Sequence, residues 1–432
     1  MLGTAGLSLE QAPPIHIPFR FFLTAPVFLL AAALLLALQG DSLLASRWSP
    51  AALAVTHLIV VGFLGQVMSG ALLQMLPVVA GSPVPSVRLV GGTVNPLLAV
   101  GAGMLAWGLL GGGGMALSVG AVCASLGFLV LVLSAGLALL RARGAPQTVR
   151  AMGLALGSLL VAVVLGLVLT EALSGRIWIL QFQAWVDVHL AWGLLGWVGL
   201  LVMGVAFQVV PMFHVTPPYP KWLSFWLPPL AAAALLLGTL RLVSDTYETG
   251  VAATGVLVLA FSLFALVTLG LQARRERKRV DATLLHWWSA MVCVLLAALC
   301  WLLAGPPVVT GILLLLGAGV GVVSGMLFKI VPFLAWFHLQ HRQLTSGKLQ
   351  VRVPNMLTFL PDRPARLQLA CHLLALVGTL AAWAVPALIV PAGIALALSA
   401  ALLGGLIFRA MVRFRRVASD LEAGTSTHQE AM

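Results

Sequence analysis

The sequence predicts an all-α integral membrane protein, with about twelve transmembrane helices in three four-helix repeats around a pseudo-threefold axis. Three observations predict it. The chain of 432 residues is 61% hydrophobic and only 8% charged, where a soluble protein carries roughly a quarter charged residues. Its apolar runs are long enough to cross a hydrocarbon layer ~30 Å thick, which takes about 20 helical residues. Three of those runs also close on one short pattern at near-even spacing.

The spans fall at roughly 20–39, 51–77, 89–111, 114–140, 151–172, 186–211, 222–243, 251–272, 284–304, 308–334, 367–385 and 387–410. None has the apolar–polar alternation of a membrane barrel strand. The first is long and follows a polar stretch ending in Ile17-Pro-Phe-Arg20, so it reads as a span and not as a cleaved leader. With the N-terminus inside, twenty Lys and Arg lie on the inner side and three (Arg47, Arg176, Arg241) on the outer; Lys329 falls within the tenth span. The positive-inside rule then puts both termini in the cytoplasm, as a multi-pass protein of a bacterial inner membrane. The net charge of +12 is spent on that asymmetry, so nucleic acid is not an expected partner. Cys123, Cys293, Cys300 and Cys371 show no CxxC spacing and read as reduced packing residues.

The second span ends Gly70-Ala-Leu-Leu-Gln74-Met-Leu-Pro77, the sixth Gly204-Val-Ala-Phe-Gln208-Val-Val-Pro211, and the tenth Gly325-Met-Leu-Phe-Lys329-Ile-Val-Pro332. The prolines are 134 and 121 residues apart, a period of four helices. The expected organisation is a polar segment 1–19, repeats 20–140, 141–272 and 273–416, and a flexible tail 417–432. Gln74, Gln208 and Lys329 are expected to converge at one depth as a polar plug.

His57 precedes Pro77 by twenty residues and His189 precedes Pro211 by twenty-two, so both sit near the outer end of their spans at matching depth. The tenth span has Thr310, Gly311 and Ile312 in that region. Ionisable residues inside a membrane are costly and usually functional. Two neutral imidazoles on separate helices suit axial ligation of a haem iron; the plainer alternative is that each bonds a neighbouring helix. Gly62, Gly65, Gly193 and Gly196, with Trp197, could leave a slot for a flat macrocycle, or simply let helices pack.

The stretch Asp187-Val-His189-Leu-Ala-Trp-Gly193-Leu-Leu-Gly196-Trp197-Val-Gly199, closing on Pro211, resembles the haem-ligating helix of the catalytic subunit of haem-copper oxidases. The opening Ile17-Pro-Phe-Arg20-Phe-Phe and the second span's Thr56-His57 look like NnrS-type haem-containing membrane proteins linked to nitric oxide stress. That superfamily has twelve helices in three arcs of four and a low-spin haem held by two histidines. The departures from it are informative. Asp187 stands where the family's first motif histidine binds the high-spin haem, and the seventh span lacks the adjacent histidines of the copper site. Only Tyr219 and Tyr247 are present, both at loop edges. The family's paired ligands come from the second and tenth spans, not from the second and sixth. The resemblance therefore implies one bis-histidine haem b on His57 and His189, and no oxygen-reducing centre.

Secondary candidates are a metal site at the inner face from His214, His286, His338 and His341, with His372 nearby, and copper passed between Met68, Met75, Met203 and Met212. Asp187 could pair with Arg176 or orient a ligand. The expected function is a haem b membrane cytochrome in electron transfer or nitric oxide handling, with an electron donor or acceptor the sequence does not specify and homo-oligomerisation possible in the bilayer. The alternative is a membrane transporter or copper-handling permease using the repeat interface, and a third reading is a structural membrane protein without cofactor.

Overall fold

The computed structural model describes residues 13–242, 247–348 and 350–423. It is helical throughout, with no strand among the described residues. The principal helices are α1 (His16–Ala45), α2 (residues 50–80), α3 (Val87–Trp107), α4 (Gly113–Leu140), α5 (Pro146–Leu173), α6 (Phe182–His214), α7 (Lys221–Thr239), α8 (Tyr247–Ala273), α9 (Ala282–Leu302), α10 (Pro307–Ser346), α11 (Asp362–Ala381) and α12 (Ile389–Ala423). Eleven apolar helical stretches are long enough to cross a membrane, which marks a multi-span membrane protein. The longest, Val87–Leu140, holds both α3 and α4 and reverses between them.

That reversal is made by glycine. Gly111 has φ 101° and Gly113 φ 89°, a region that L side chains rarely enter. Beyond the turn the two helices lie so close that a Cβ on Gly101 would meet the Ala124 backbone at 2.6 Å, and one on Gly120 the Leu105 nitrogen at 2.3 Å. Each pair is symmetric about the turn, so α3 and α4 form a tight antiparallel hairpin.

Successive helices pack side by side, and α12 returns to lie along α1. Gly393 fits against Ala37, Gly40 against Ile389 and Gly404 against Pro26, an antiparallel seam that closes the bundle into a ring. Within it α2, α6 and α10 are the most enclosed, with 72%, 61% and 72% of their apolar windows buried against 28–50% for the other stretches. A small polar knot pins α1, α2 and α3 together: Asn95 donates to Gln66 at 2.9 Å and to Thr24 at 3.3 Å.

The three inner helices share one irregularity. Each widens into a π-helical stretch, Leu58–Gly65 in α2, Ala191–Gly199 in α6 and Leu313–Val320 in α10. These stretches touch one another pairwise. Gly319 of α10, for example, leaves room for Leu64 of α2. π-turns are frequent at functional sites, and the glycines here let three backbones approach.

The ends differ from expectation. The helix beginning at His16 includes the last residues of the segment 1–19, whose residues 1–12 lie outside the described structure. α12 runs to Ala423, past the expected tail start at 417, because Met411, Phe414, Val417, Ala418 and Leu421 form a buried stripe at helical spacing. Glu422 there receives Arg342, and its carbonyl receives Lys348. Residues 424–432 lie outside the described structure.

Candidate functional site

The fold brings His57 and His189 together. His57 is the last α-helical residue before the π stretch of α2, and His189 lies two residues before that of α6. Their rings face each other with centroids 6.3 Å apart and planes inclined by 17°. Bare stacking contact would need a much shorter separation, so the two rings are not in van der Waals stacking contact.

Hydrogen bonding sets their tautomers. His57 Nδ1 lies 2.8 Å from the Leu53 carbonyl of its own helix, and His189 Nδ1 lies 2.9 Å from the Ala162 carbonyl of α5. A carbonyl only accepts, so each Nδ1 carries the proton and each Nε2 keeps a bare lone pair. Neither Nε2 has a hydrogen-bond partner among the described residues. A backbone carbonyl on the far nitrogen is the usual second support of a ligating histidine.

Spacing agrees with that chemistry. A metal held at roughly 2.0 Å by each nitrogen, itself about 1.1 Å from its ring centre, sets opposed centroids about 6.2 Å apart. The observed centroid separation is 6.3 Å, with the planes inclined by 17°. Gly166 of α5 backs the His189 ring, since a Cβ there would stand 3.1 Å from Cε1.

A charged cluster lies just beyond. Asp187, two residues before His189, binds Arg47 at 2.7 Å and faces Arg241 at 3.9 Å. Arg176, the partner expected for Asp187, is instead held by Glu171 at 2.6 Å. All three basic residues assigned to the outer side thus face carboxylates. Trp192 of α6 donates to Thr239 at 2.8 Å, fixing α6 against α7 beside this cluster.

The expected glycine slot is largely filled by protein. A Cβ on Gly62 would strike the Phe28 ring at 2.4 Å, one on Gly65 would press Phe128 at 3.1 Å, and one on Gly196 would meet Ser158 at 2.7 Å. These three glycines admit neighbouring helices. Gly193 alone stays open, its nearest non-local atom being Ala162 Cβ at 4.0 Å. Trp197 is buried edge-on to Phe128, with an indole N–H that has no acceptor.

The inner-face metal site does not assemble. No group of three or more His, Cys, Asp or Glu positioned for one metal occurs among the described residues. His214 bonds Gln272 at 3.0 Å, His286 bonds Gln368 at 2.9 Å, and His338 lies within hydrogen-bonding distance of the Leu334 and Pro13 carbonyls. His341, also on α10, joins none of them in a shared site. The methionines do not share one environment either: Met68 and Met203 are buried, whereas Met212 is exposed. Nor do Gln74, Gln208 and Lys329 form a plug. Gln74 is buried with an unpartnered amide, Gln208 is exposed, and Lys329 binds Asp281 at 2.5 Å. Tyr219 is buried and hydrogen-bonded to Thr268 at 2.9 Å, while the Tyr247 side chain lies outside the described structure.

Sequence reasoning missed Ala162, Gly166, Arg47 and Arg241. Their only signal was being a small residue or an arginine, and nothing in linear order ties α5 or the α1–α2 and α7–α8 turns to His189. No protein-family model matches the chain, and no curated protein is significantly similar to it.

Proposed function

We propose that this protein is a haem b-binding membrane cytochrome, with His57 and His189 as the axial ligands. It acts in electron transfer or nitric oxide handling and not in oxygen reduction. One observation carries the reading: two parallel imidazoles from separate helices stand 6.3 Å apart, each with its far nitrogen fixed by a carbonyl. A haem bound there supplies one-electron chemistry. The chain's part is to hold and orient. The Leu53 and Ala162 carbonyls fix the two rings, and Arg47 and Arg241, here paired with Asp187, would supply guanidinium groups to the macrocycle's carboxylates. The lack of adjacent histidines in the seventh span and the loop-edge positions of Tyr219 and Tyr247 support leaving oxygen reduction out of the reading.

The same reading includes twelve crossings, three four-helix units around a pseudo-threefold axis, and both termini in the cytoplasm of a bacterial inner membrane. The reversal at Gly111–Gly113 supports the count, and the three mutually touching π stretches support the axis. The excess of Lys and Arg on one side supports the orientation.

The test is the visible spectrum of detergent-purified protein, oxidised and dithionite-reduced, beside His57→Ala and His189→Ala. Sharp reduced bands of b-type haem, lost in either variant, support the assignment. A colourless protein from haem-replete cells would refute it and favour a transporter or copper permease built on the same helices.

A further inference from the structure

The first turn of α11 borders a basic depression that shares no residue with the candidate site. It encloses about 640 Å³ beside the loop that leads into α9 and the short helix Met356–Phe359. Arg279, Arg363 and Arg366 supply its positive charge, and Leu357, Pro361 and Pro364 its apolar wall.

The walls are held in place by the chain itself. Asn355 caps the short helix by accepting from the Thr358 N–H at 3.1 Å, and Arg413 of α12 donates to the Thr358 carbonyl at 2.8 Å. Asp362 accepts from the Ala282 N–H at 2.9 Å, which ties the start of α11 to the start of α9. Pro361 and Pro364 restrict the backbone between them. The three arginines are not equivalent. Arg366 donates to Asp362 at 2.8 Å and also to the Val280 carbonyl, so both Asp362 oxygens are engaged. Arg279 and Arg363 are exposed, and neither has a hydrogen bond or ion pair among the described residues. Three guanidinium groups against one carboxylate leave an excess of two positive charges in one depression. A guanidinium fork matches the paired oxygens of a phosphate group.

Arg363 also heads a stripe that faces outward from the bundle. Leu367, Leu374 and Val377 follow it on α11 by 4, 11 and 14 residues, which is one face of a helix, and they are 55%, 66% and 62% exposed. In a multi-span membrane protein such a face lies against hydrocarbon. From Leu367 to Val377 the helix rises about 15 Å, the depth of one leaflet in a hydrocarbon layer ~30 Å thick. From this juxtaposition we infer that the depression binds the headgroup of an anionic glycerophospholipid. Arg279 and Arg363 take its phosphodiester, and an acyl chain runs along Leu367, Leu374 and Val377. A soluble phosphate would use the guanidinium groups alone and leave Leu357 and the stripe without a partner. A zwitterionic lipid would bring its own cation against the excess positive charge.

The experiment uses the full chain, delipidated in neutral detergent and titrated with dioleoyl phosphatidylglycerol under native mass spectrometry. One lipid should be retained ahead of any others, and dioleoyl phosphatidylcholine should not replace it. Arg279→Gln and Arg363→Gln should each weaken retention about fivefold, and the double variant about 25-fold. Arg141→Gln/Arg143→Gln, which removes the same charge from another exposed segment, should leave retention unchanged. Equal weakening by the two double variants would overturn the site in favour of diffuse surface charge. Equal retention of phosphatidylcholine would overturn the choice of an anionic lipid. Displacement by glycerol 3-phosphate or inorganic phosphate as readily as by phosphatidylglycerol would overturn the lipid as occupant and leave a soluble phosphate compound. If the Arg279→Gln/Arg363→Gln variant does not fold, the single variants and the three competitions on wild type decide.

Discussion

Gly166→Ala is a small change aimed at one atom. The added Cβ would stand 3.1 Å from His189 Cε1 and 3.6 Å from Nδ1, so the ring must yield by a few tenths of an ångström. It cannot do so freely, because Nδ1 is tethered 2.9 Å from the Ala162 carbonyl on the same helix. Moving a side chain off its preferred rotamer by up to 30° costs about 0.5–1.5 kcal/mol. If that strain falls on the ligated state, haem affinity drops roughly two- to tenfold. The control is Gly157→Ala on the same helix, where an added Cβ meets nothing within 4 Å. Haem transfer to excess apomyoglobin, measured for wild type and both variants, reads the difference. Faster loss is expected from Gly166→Ala only. Equal rates and identical reduced spectra in the two variants would refute the claim that α5 positions an axial ligand.

Other consequences can be measured separately. Lys329→Met strands the Asp281 carboxylate; both partners keep only 15–17% of their side-chain surface exposed, so the loss should be about 2–4 kcal/mol in SDS-unfolding midpoint, near the range for a broken buried pair. Adding Asp281→Asn should restore much of it, because Asn still caps α9 at Leu284. Burial pushes the Asp281 carboxyl up, but Lys329 and the Leu284 N–H outweigh it and hold it below its ordinary 3.8. The stability this group adds is therefore complete above about pH 4 and falls as pH drops below that value, a slope that Asp281→Asn should remove. Gly113→Ala, forced to φ 89°, should cost about 1–3 kcal/mol without altering any haem spectrum. Arg47→Gln should weaken haem retention more at low salt than at high salt if the guanidinium meets a carboxylate of the macrocycle.

Much of the bundle was legible because membrane helices announce themselves by length and apolarity. The hairpin of α3 and α4 was readable as two spans since Gly111–Gly114 interrupts the run. The pairing of His57 with His189 was legible through their matched distances to Pro77 and Pro211. What surrounds them was not. The π stretches have no composition distinguishing them from ordinary glycine-bearing helix. The glycine slot failed as an expectation for a concrete reason: Phe28, Phe128 and Ser158, remote in sequence, occupy the space that a Cβ at Gly62, Gly65 and Gly196 would need. His286 and His372 were grouped in sequence with the inner-face histidines, and only packing puts them against Gly321 and Gly325.

The seam between α1 and α12 has a consequence for biosynthesis. α1 is made before α12, yet the strip that Ala37 and Gly40 present to Gly393 and Ile389 lacks these partners until α12 emerges. At about 5–20 residues per second, that interval is on the order of tens of seconds. Throughout it lipid tails, or another inserted chain, must cover the strip. A ribosome that stalls before α12 releases an open bundle, with its small-residue edge exposed to any helix that fits. The ring thus makes the arrival of α12 a structural checkpoint, and quality-control proteases that sense unpaired membrane helices could read the seam.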